Sequence, residues 1–196
     1  MLRISHYQYS YLLTAILVLI HTTPLMAASF NCQMASTEVE KMICNNPQLS
    51  EADERMSKAY FNLYEALPKP EAEVLKEDQR HWLEKRNYEL LHCVKPYCKD
   101  HFYEVRIQQL HPVEQAGFNC RKAGTQVEKK ICDSRLLRHA DGRMVNLYQL
   151  RQMELKQDQR EWLTRRDMEL GQSYCDINCA WQFYKDRIEF LTLYLF

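Results

Sequence analysis

Cysteines are the residues of this chain whose type and spacing most clearly imply chemistry. All eight follow residue 28, at spacings of twelve and then four or five residues: Cys32, Cys44, Cys93, Cys98, Cys120, Cys132, Cys175 and Cys179. Redox catalysis of the thioredoxin type needs a Cys-x-x-Cys motif, which is absent. An even number of cysteines in an oxidising compartment indicates structural disulfides. We predict local bridges, although each set of four cysteines formally allows three connectivities: Cys32 with Cys44, Cys93 with Cys98, Cys120 with Cys132, and Cys175 with Cys179.

A zinc site is the alternative use of one cysteine pair. His92 and His101 flank Cys93 and Cys98, an arrangement that resembles a zinc cluster. The corresponding stretch, residues 174–182, keeps two cysteines but has no histidine. A disulfide explains what the two stretches share, so we predict neither a metal nor another cofactor.

Known catalytic motifs are missing from the sequence. It contains no nucleophile elbow, no phosphate-binding loop and no His-Glu-x-x-His motif. No histidine after residue 28 recurs at corresponding positions of the two halves. We therefore predict no catalytic residue and a protein that is not an enzyme.

Most of the chain is an internal repeat. Residues 30–32, Phe-Asn-Cys, return at 118–120, and residues 78–86 return as 158–166 with an offset of 80. We predict two tandem domains of the same kind, at residues 29–115 and 116–196.

Each half also contains a Gln-x-x-Trp-x-x-x-Arg motif. Spacings of three and four residues place its three side chains on one face of a helix. The preceding helix offers an aspartate as a partner for the arginine in each half. We interpret these residues as a structural core motif, and binding residues remain unknown: Asp53, Gln79, Trp82 and Arg86, then Asp141, Gln159, Trp162 and Arg166.

Helices must position these residues, because four glycines and six prolines are too few for turn-rich β architecture. Thr37 with Glu40, and Thr125 with Glu128, form capping-box patterns that predict helix starts. Proline at 68 and 70 predicts a break in the first half. The second half lacks these prolines, so we expect either a tight bend at 153–156 or one fused helix. The predicted fold is all-α, with disulfide-stapled domains.

The N-terminus predicts export. One cation, Arg3, precedes an apolar run at 11–20 and small residues at Ala27 and Ala28, the layout of a secretory signal peptide spanning residues 1–28. Ten apolar residues would span only about half of the ~30 Å hydrocarbon core. We expect a periplasmic or secreted protein that is soluble after cleavage, without permanent membrane insertion.

The charge pattern argues against nucleic acid as a partner. After residue 28 the chain carries 25 basic and 26 acidic residues, whereas nucleic-acid binding calls for a basic surface. Residues 30–117 have a net charge of −4 and residues 118–196 of +3, so a charged protein partner is plausible. Arg135, Arg138 and Arg143 are candidate contacts in the basic half.

Together these motifs resemble the LprI-type lysozyme-inhibitor domain, a small exported helical module of bacterial envelopes. The pattern is Phe-x-Cys, Glu-x-x-Ile-Cys, a Leu-Asp-Met-Tyr helix, Gln-x-x-Trp-Leu-x-x-Arg and a closing cysteine pair, at residues 30–110 and 118–191. The resemblance implies inhibition of lysozyme-type muramidases but identifies no inhibitory residue. Three functions stay open: this non-catalytic envelope binder, a periplasmic adaptor or toxin-neutralising module, and an enzyme acting on the cell wall.

Overall fold

The structure, a computed structural model, describes residues 28–94 and 98–193, except for the side chain of Cys98. The predicted signal peptide lies almost wholly outside these residues. The predicted Cys93–Cys98 bridge involves a side chain that is also outside them, and it stays a prediction.

The described residues form helices and contain no strand, which confirms the all-α prediction. Short 3-10 turns at Cys32–Met34 and Cys120–Lys122 precede α1 and α5. The helices are α1 (Glu38–Asn45), α2 (Pro47–Ala66), α3 (Lys69–His92), α4 (Cys98–Leu110), α5 (Gln126–Asp133), α6 (Arg135–Gln149), α7 (Gln152–Leu170) and α8 (Ile177–Leu193).

Both predicted capping boxes start a helix. Thr37 Oγ1 accepts a hydrogen bond from the Glu40 N–H (3.2 Å), and Glu40 Oε2 accepts one from the Thr37 N–H (2.9 Å). The same pair of bonds joins Thr125 and Glu128, each at 3.0 Å. Backbone N–H donors at the start of α1 lower the pKa of Glu40 to about 2. The carboxylate thus satisfies amides that have no partner inside the helix.

The turn of the first half follows the prolines, whereas the turn of the second half lies elsewhere than predicted. Pro68 caps α3 and accepts hydrogen bonds through its carbonyl oxygen. In the second half, Leu150 and Arg151 separate α6 from α7. Their N–H groups bond to the carbonyls of Leu147 (3.2 Å) and Tyr148 (2.9 Å). The helices therefore do not fuse, and the bend precedes the expected 153–156 segment.

Helices α4 and α8, which pack against each other, join the two halves. α2 packs on α4, α6 packs on α8, and α4 packs on α8, while α1 and α5 cover α2 and α6 respectively. Buried apolar residues of both halves, among them Leu110 and Leu191, belong to one continuous core.

Three disulfides staple the part of the chain that the structure describes. Cys32 bonds to Cys44, Cys120 to Cys132, and Cys175 to Cys179, which are three of the four predicted pairs. In the described residues, no helix is long and apolar enough to cross a membrane.

Candidate functional site

A buried carboxylate organises the first half. Asp53 is fully buried on α2, and its Oδ1 accepts hydrogen bonds from Arg86 Nη1 of α3 (3.0 Å) and the Tyr103 hydroxyl of α4 (2.8 Å). The N–H and hydroxyl of Ser29 donate to Oδ2, at 3.0 and 2.5 Å. Four donors therefore satisfy a charge that would otherwise be costly to bury.

The second half repeats this arrangement around Asp141 of α6. Its Oδ1 accepts hydrogen bonds from Arg166 Nη1 (3.2 Å) and the Tyr184 hydroxyl (2.7 Å), and its Oδ2 accepts one from the Gly117 N–H (2.8 Å). Burial raises the pKa of the Tyr103 and Tyr184 hydroxyls, so both stay protonated donors. The arginine partners are those that the sequence predicted, whereas the two tyrosine donors were not predicted.

In the second network Gly117 stands at the position of Ser29, because Val145 occupies the space that a side chain there would need. A Cβ at Gly117 would lie 2.2 Å from Val145 Cγ2. The position aligned with Val145 is Ser57, which is smaller. The two halves thus reach the same carboxylate geometry with different packing.

A second buried arginine in each half was missed by sequence reasoning. Arg106 is fully buried, and it donates to Gln79 Oε1 (2.7 and 3.0 Å) and to Asp78 Oδ2 (2.8 Å). Arg187 likewise donates to Gln159 Oε1 (2.6 Å) and forms an ion pair with Asp158 Oδ2 (2.6 Å). The signal was present, since the Asp-Gln pair and the arginine recur in both halves.

The two tryptophans of the motif differ in burial. Trp82 is only half-buried and stacks on Phe102, with ring centroids 5.3 Å apart. Trp162 is 5% exposed and packs against Phe183 and Tyr184, both at 5.5 Å. Both indoles fix helix packing, and Trp162 does so more deeply.

These networks position helices and offer no reactive group to a substrate. Their carboxylates are paired, and the two central ones, Asp53 and Asp141, are buried. Their tyrosines are donors. Glu169, Cys175 and Cys179 bring three potential metal-ligand atoms together, but the two sulfurs are bonded to each other and thiolates are the metal-binding form. His92, which belongs to the alternative zinc site considered from the sequence, has its Nδ1 at 2.7 Å from the Tyr88 carbonyl oxygen.

The three basic residues named as candidate contacts each bond to the backbone of this chain. Each guanidinium group donates to a backbone carbonyl: Arg135 to Ala66 (2.8 Å), Arg138 to Cys132, and Arg143 to Gln108 (3.0 Å). Two of these bonds join the halves. Arg135 nevertheless stays exposed, and Arg138 and Arg143 are half-buried, so their role as contacts to a partner remains a prediction.

An open groove lies between α2 and α4. Its volume is about 680 Å³, and its lining is Gln48, Glu51, Ala52, Arg55, Asp100, His101, Glu104 and Leu193. Arg55 pairs with Glu104 at 3.0 Å. The carboxylates of Glu51 and Asp100 have no hydrogen-bond or ion-pair partner among the described residues. This surface, hereafter the α2/α4 groove, is acidic at its rim.

The comparison with known proteins gives a match for the part of the chain that runs from the first 3-10 turn to just beyond α4. Residues 30–118 match the family model described as Lysozyme inhibitor LprI. No curated protein and no solved structure matches the chain.

The LprI match covers the first half of the fold. It contains α1 to α4, Asp53 with its arginine and tyrosine donors, and Arg106. Every lining residue of the α2/α4 groove except Leu193 also lies in the LprI segment. The description of the LprI family is that of an inhibitor, which agrees with a non-catalytic protein that acts on another protein.

Proposed function

We propose that this protein is an exported, non-catalytic binding protein that inhibits a lysozyme-type muramidase. The observation that carries the proposal is the LprI match of residues 30–118. The charged networks of that segment are buried and internally paired, which leaves its surface rather than a reactive centre to act. A protein that occupies the glycan cleft of the enzyme would exclude the substrate.

The proposal includes two LprI-like domains, at residues 29–115 and 116–196. Its support is the repeated geometry: Asp53 and Asp141 each accept hydrogen bonds from an arginine and a tyrosine at aligned positions. Arg106 and Arg187 likewise each bond to a glutamine.

Electrostatics favours a basic partner for the first domain. Residues 30–117 carry a net charge of −4, and opposite charge on a partner speeds association and disfavours wrong partners. Lysozyme clefts hold catalytic carboxylates, while the outer surface of such enzymes is commonly cationic. The acidic domain therefore suits that outer surface.

Export is the third part of the proposal. Residues 1–28 have the layout of a signal peptide, and disulfides persist in oxidising compartments outside the cytosol. We place the mature protein in the periplasm or outside the cell, where it would meet a muramidase.

The test is the loss of turbidity of bacterial cell walls with lysozymes of the c, g and i types. Each enzyme is titrated with the oxidised chain starting at Ser29, and a reduced and alkylated sample serves as the control. We expect inhibition of at least one type that weakens as salt screens the charges. Failure of a folded sample to inhibit all three at micromolar concentration would remove inhibition as the function.

A further inference from the structure

The face formed by α6 and α8 in the second half is covered by the chain itself. His139 of α6 is 1% exposed; its Nε2 lies 2.9 Å from the Gln109 carbonyl oxygen, and its Nδ1 lies 3.3 Å from the Val113 nitrogen. Trp181 of α8 is also 1% exposed, with its ring centroid 6.3 Å from that of His139. Residues 109–113, which end α4 and follow it, thus seal this face.

A glycine permits the close approach. A Cβ at Gly142 would lie 2.0 Å from the Gln115 carbonyl oxygen and 2.6 Å from Val113 Cγ1. Only a residue without a side chain allows the segment 113–115 to lie directly on α6. The cover is therefore a specific feature of the second half.

The aligned face of the first half has the opposite character. At the repeat offsets of 88 and 81, four residues of the covered face correspond to acidic residues: His139 to Glu51, Gly142 to Glu54, Trp181 to Asp100, and Lys185 to Glu104. Glu51 and Asp100 are exposed at the rim of the α2/α4 groove. A side chain at Glu54 replaces the glycine that the covering segment requires. A segment like the one that covers the second half therefore does not fit the aligned face of the first half, either in shape or in charge.

The charge at the rim of the α2/α4 groove determines which kind of molecule can dock there. On the covered face, Lys185 pairs with Asp78 of the first half. The position aligned with Asp78 is Asp158, also an acid, so a second copy of this chain docking in the same manner would bring a carboxylate to an acidic rim. Like charges placed together at an interface are strongly unfavourable. The groove therefore selects against a further copy and for a cation.

We propose that the α2/α4 groove docks a basic surface segment of the muramidase, with Glu51 and Asp100 receiving its cations. The inference rests on the proposed function and assigns it a contact surface. Ala52 and Leu193 supply apolar contact within the groove. Arg55 is neutralised by Glu104, so it does not oppose the incoming charge.

The test measures the binding of a cationic c-type lysozyme to the oxidised chain starting at Ser29 by calorimetry, together with inhibition in the cell-wall assay. The double variant Glu51→Gln, Asp100→Asn removes two rim carboxylates. The matched control Glu65→Gln, Glu84→Gln removes two carboxylates from exposed positions outside the groove. Circular dichroism and thermal melting verify that both variants fold.

We expect the groove variant to bind about tenfold more weakly, since about 1.4 kcal/mol corresponds to tenfold, and the control to stay within about twofold. Equal affinity of the two variants would overturn the docking site, while inhibition by the unaltered chain would leave the proposed function standing. Binding that is weakened only in the groove variant, without inhibition by any sample, would keep the docking site and remove the inhibitor function. Absence of binding by the unaltered chain would overturn the docking site.

A chain ending at Leu193 tests residues 194–196 as a competing occupant of the groove. Affinity within about twofold of the full chain supports the muramidase as the occupant. An increase of more than about tenfold on truncation would also support the groove, because residues 194–196 would then have competed with the muramidase for it. A decrease of more than about tenfold would overturn the proposal, because those residues rather than the groove would hold the muramidase.

Discussion

Acidification is expected to destabilise the contact between the two halves through His139. The ring is buried and neutral, with Nε2 donating to the Gln109 carbonyl oxygen and Nδ1 accepting from the Val113 N–H. A protonated ring cannot accept, so the bond from Val113 would be lost and a charge would be buried. Burial, together with the nearby charge of Arg143, lowers the pKa of His139 from 6.5 to about 4.

The pKa difference sets the size and the direction of the effect. The folded protein binds this proton more weakly than the unfolded chain does, so acidification favours unfolding. The stabilisation is fully present above about pH 6.5 and is lost as the pH falls towards about 4. Between about pH 7.5 and about pH 4.5, the free energy of unfolding should fall by about 2 to 3 kcal/mol on account of this residue alone.

Urea unfolding at a series of pH values measures this contribution. His139→Gln keeps an amide donor and acceptor without a titrating ring, so its stability should depend less on pH by about 2 to 3 kcal/mol over that range. His81→Gln, at an exposed position of α3, removes a histidine outside the contact and should behave like the unaltered protein. The reasoning is refuted if His139→Gln and the unaltered protein lose stability in parallel on acidification.

Two further predictions concern packing. Trp162→Ala should lower the free energy of unfolding by about 3 to 5 kcal/mol, and Trp82→Ala by less, because the Trp82 indole is only half-buried; equal losses in chemical denaturation would contradict the difference in burial. Gly142→Ala should cost about 1 to 3 kcal/mol, since the new Cβ meets the Gln115 carbonyl. Gly124→Ala is its control, with its nearest contact at 3.9 Å, and comparable melting temperatures for the two glycine variants would refute the close approach.

Local features of the fold could be predicted from the sequence. The capping boxes, the proline break and the four-residue periodicity specify helices through interactions within a few residues. The pairing of Asp53 with Arg86 was accessible because the helical spacing of the motif places Arg86 on one face with Gln79 and Trp82, and the preceding helix offers an aspartate to it. Short loops likewise made the Cys32–Cys44 bridge predictable.

Long-range contacts could not be predicted from the sequence in the same way. A repeat shows that Arg106 and Arg187 occupy equivalent positions but does not show that each bonds to a glutamine on a helix about 28 residues earlier. The turn at Leu150 has no proline or glycine to mark it. The contact between the halves does not follow the repeat at all. His139 and Glu51 are aligned, yet His139 is buried in that contact and Glu51 is exposed at the groove rim. A sequence repeat predicts shared interiors, whereas docking depends on the residues at which the copies differ.

The segment that lies on Gly142 has a practical consequence for dividing the protein. The sequence repeat predicts the boundary between residues 115 and 116, yet residues 109–115 lie on His139 and Gly142 of the second half. A second half expressed from residue 116 would expose an indole and an apolar helix face to water, and such a face promotes aggregation. A fragment that starts at Gln109 keeps the partners of His139 and the segment on Gly142, so the start of a well-behaved fragment lies inside the first repeat rather than between the two.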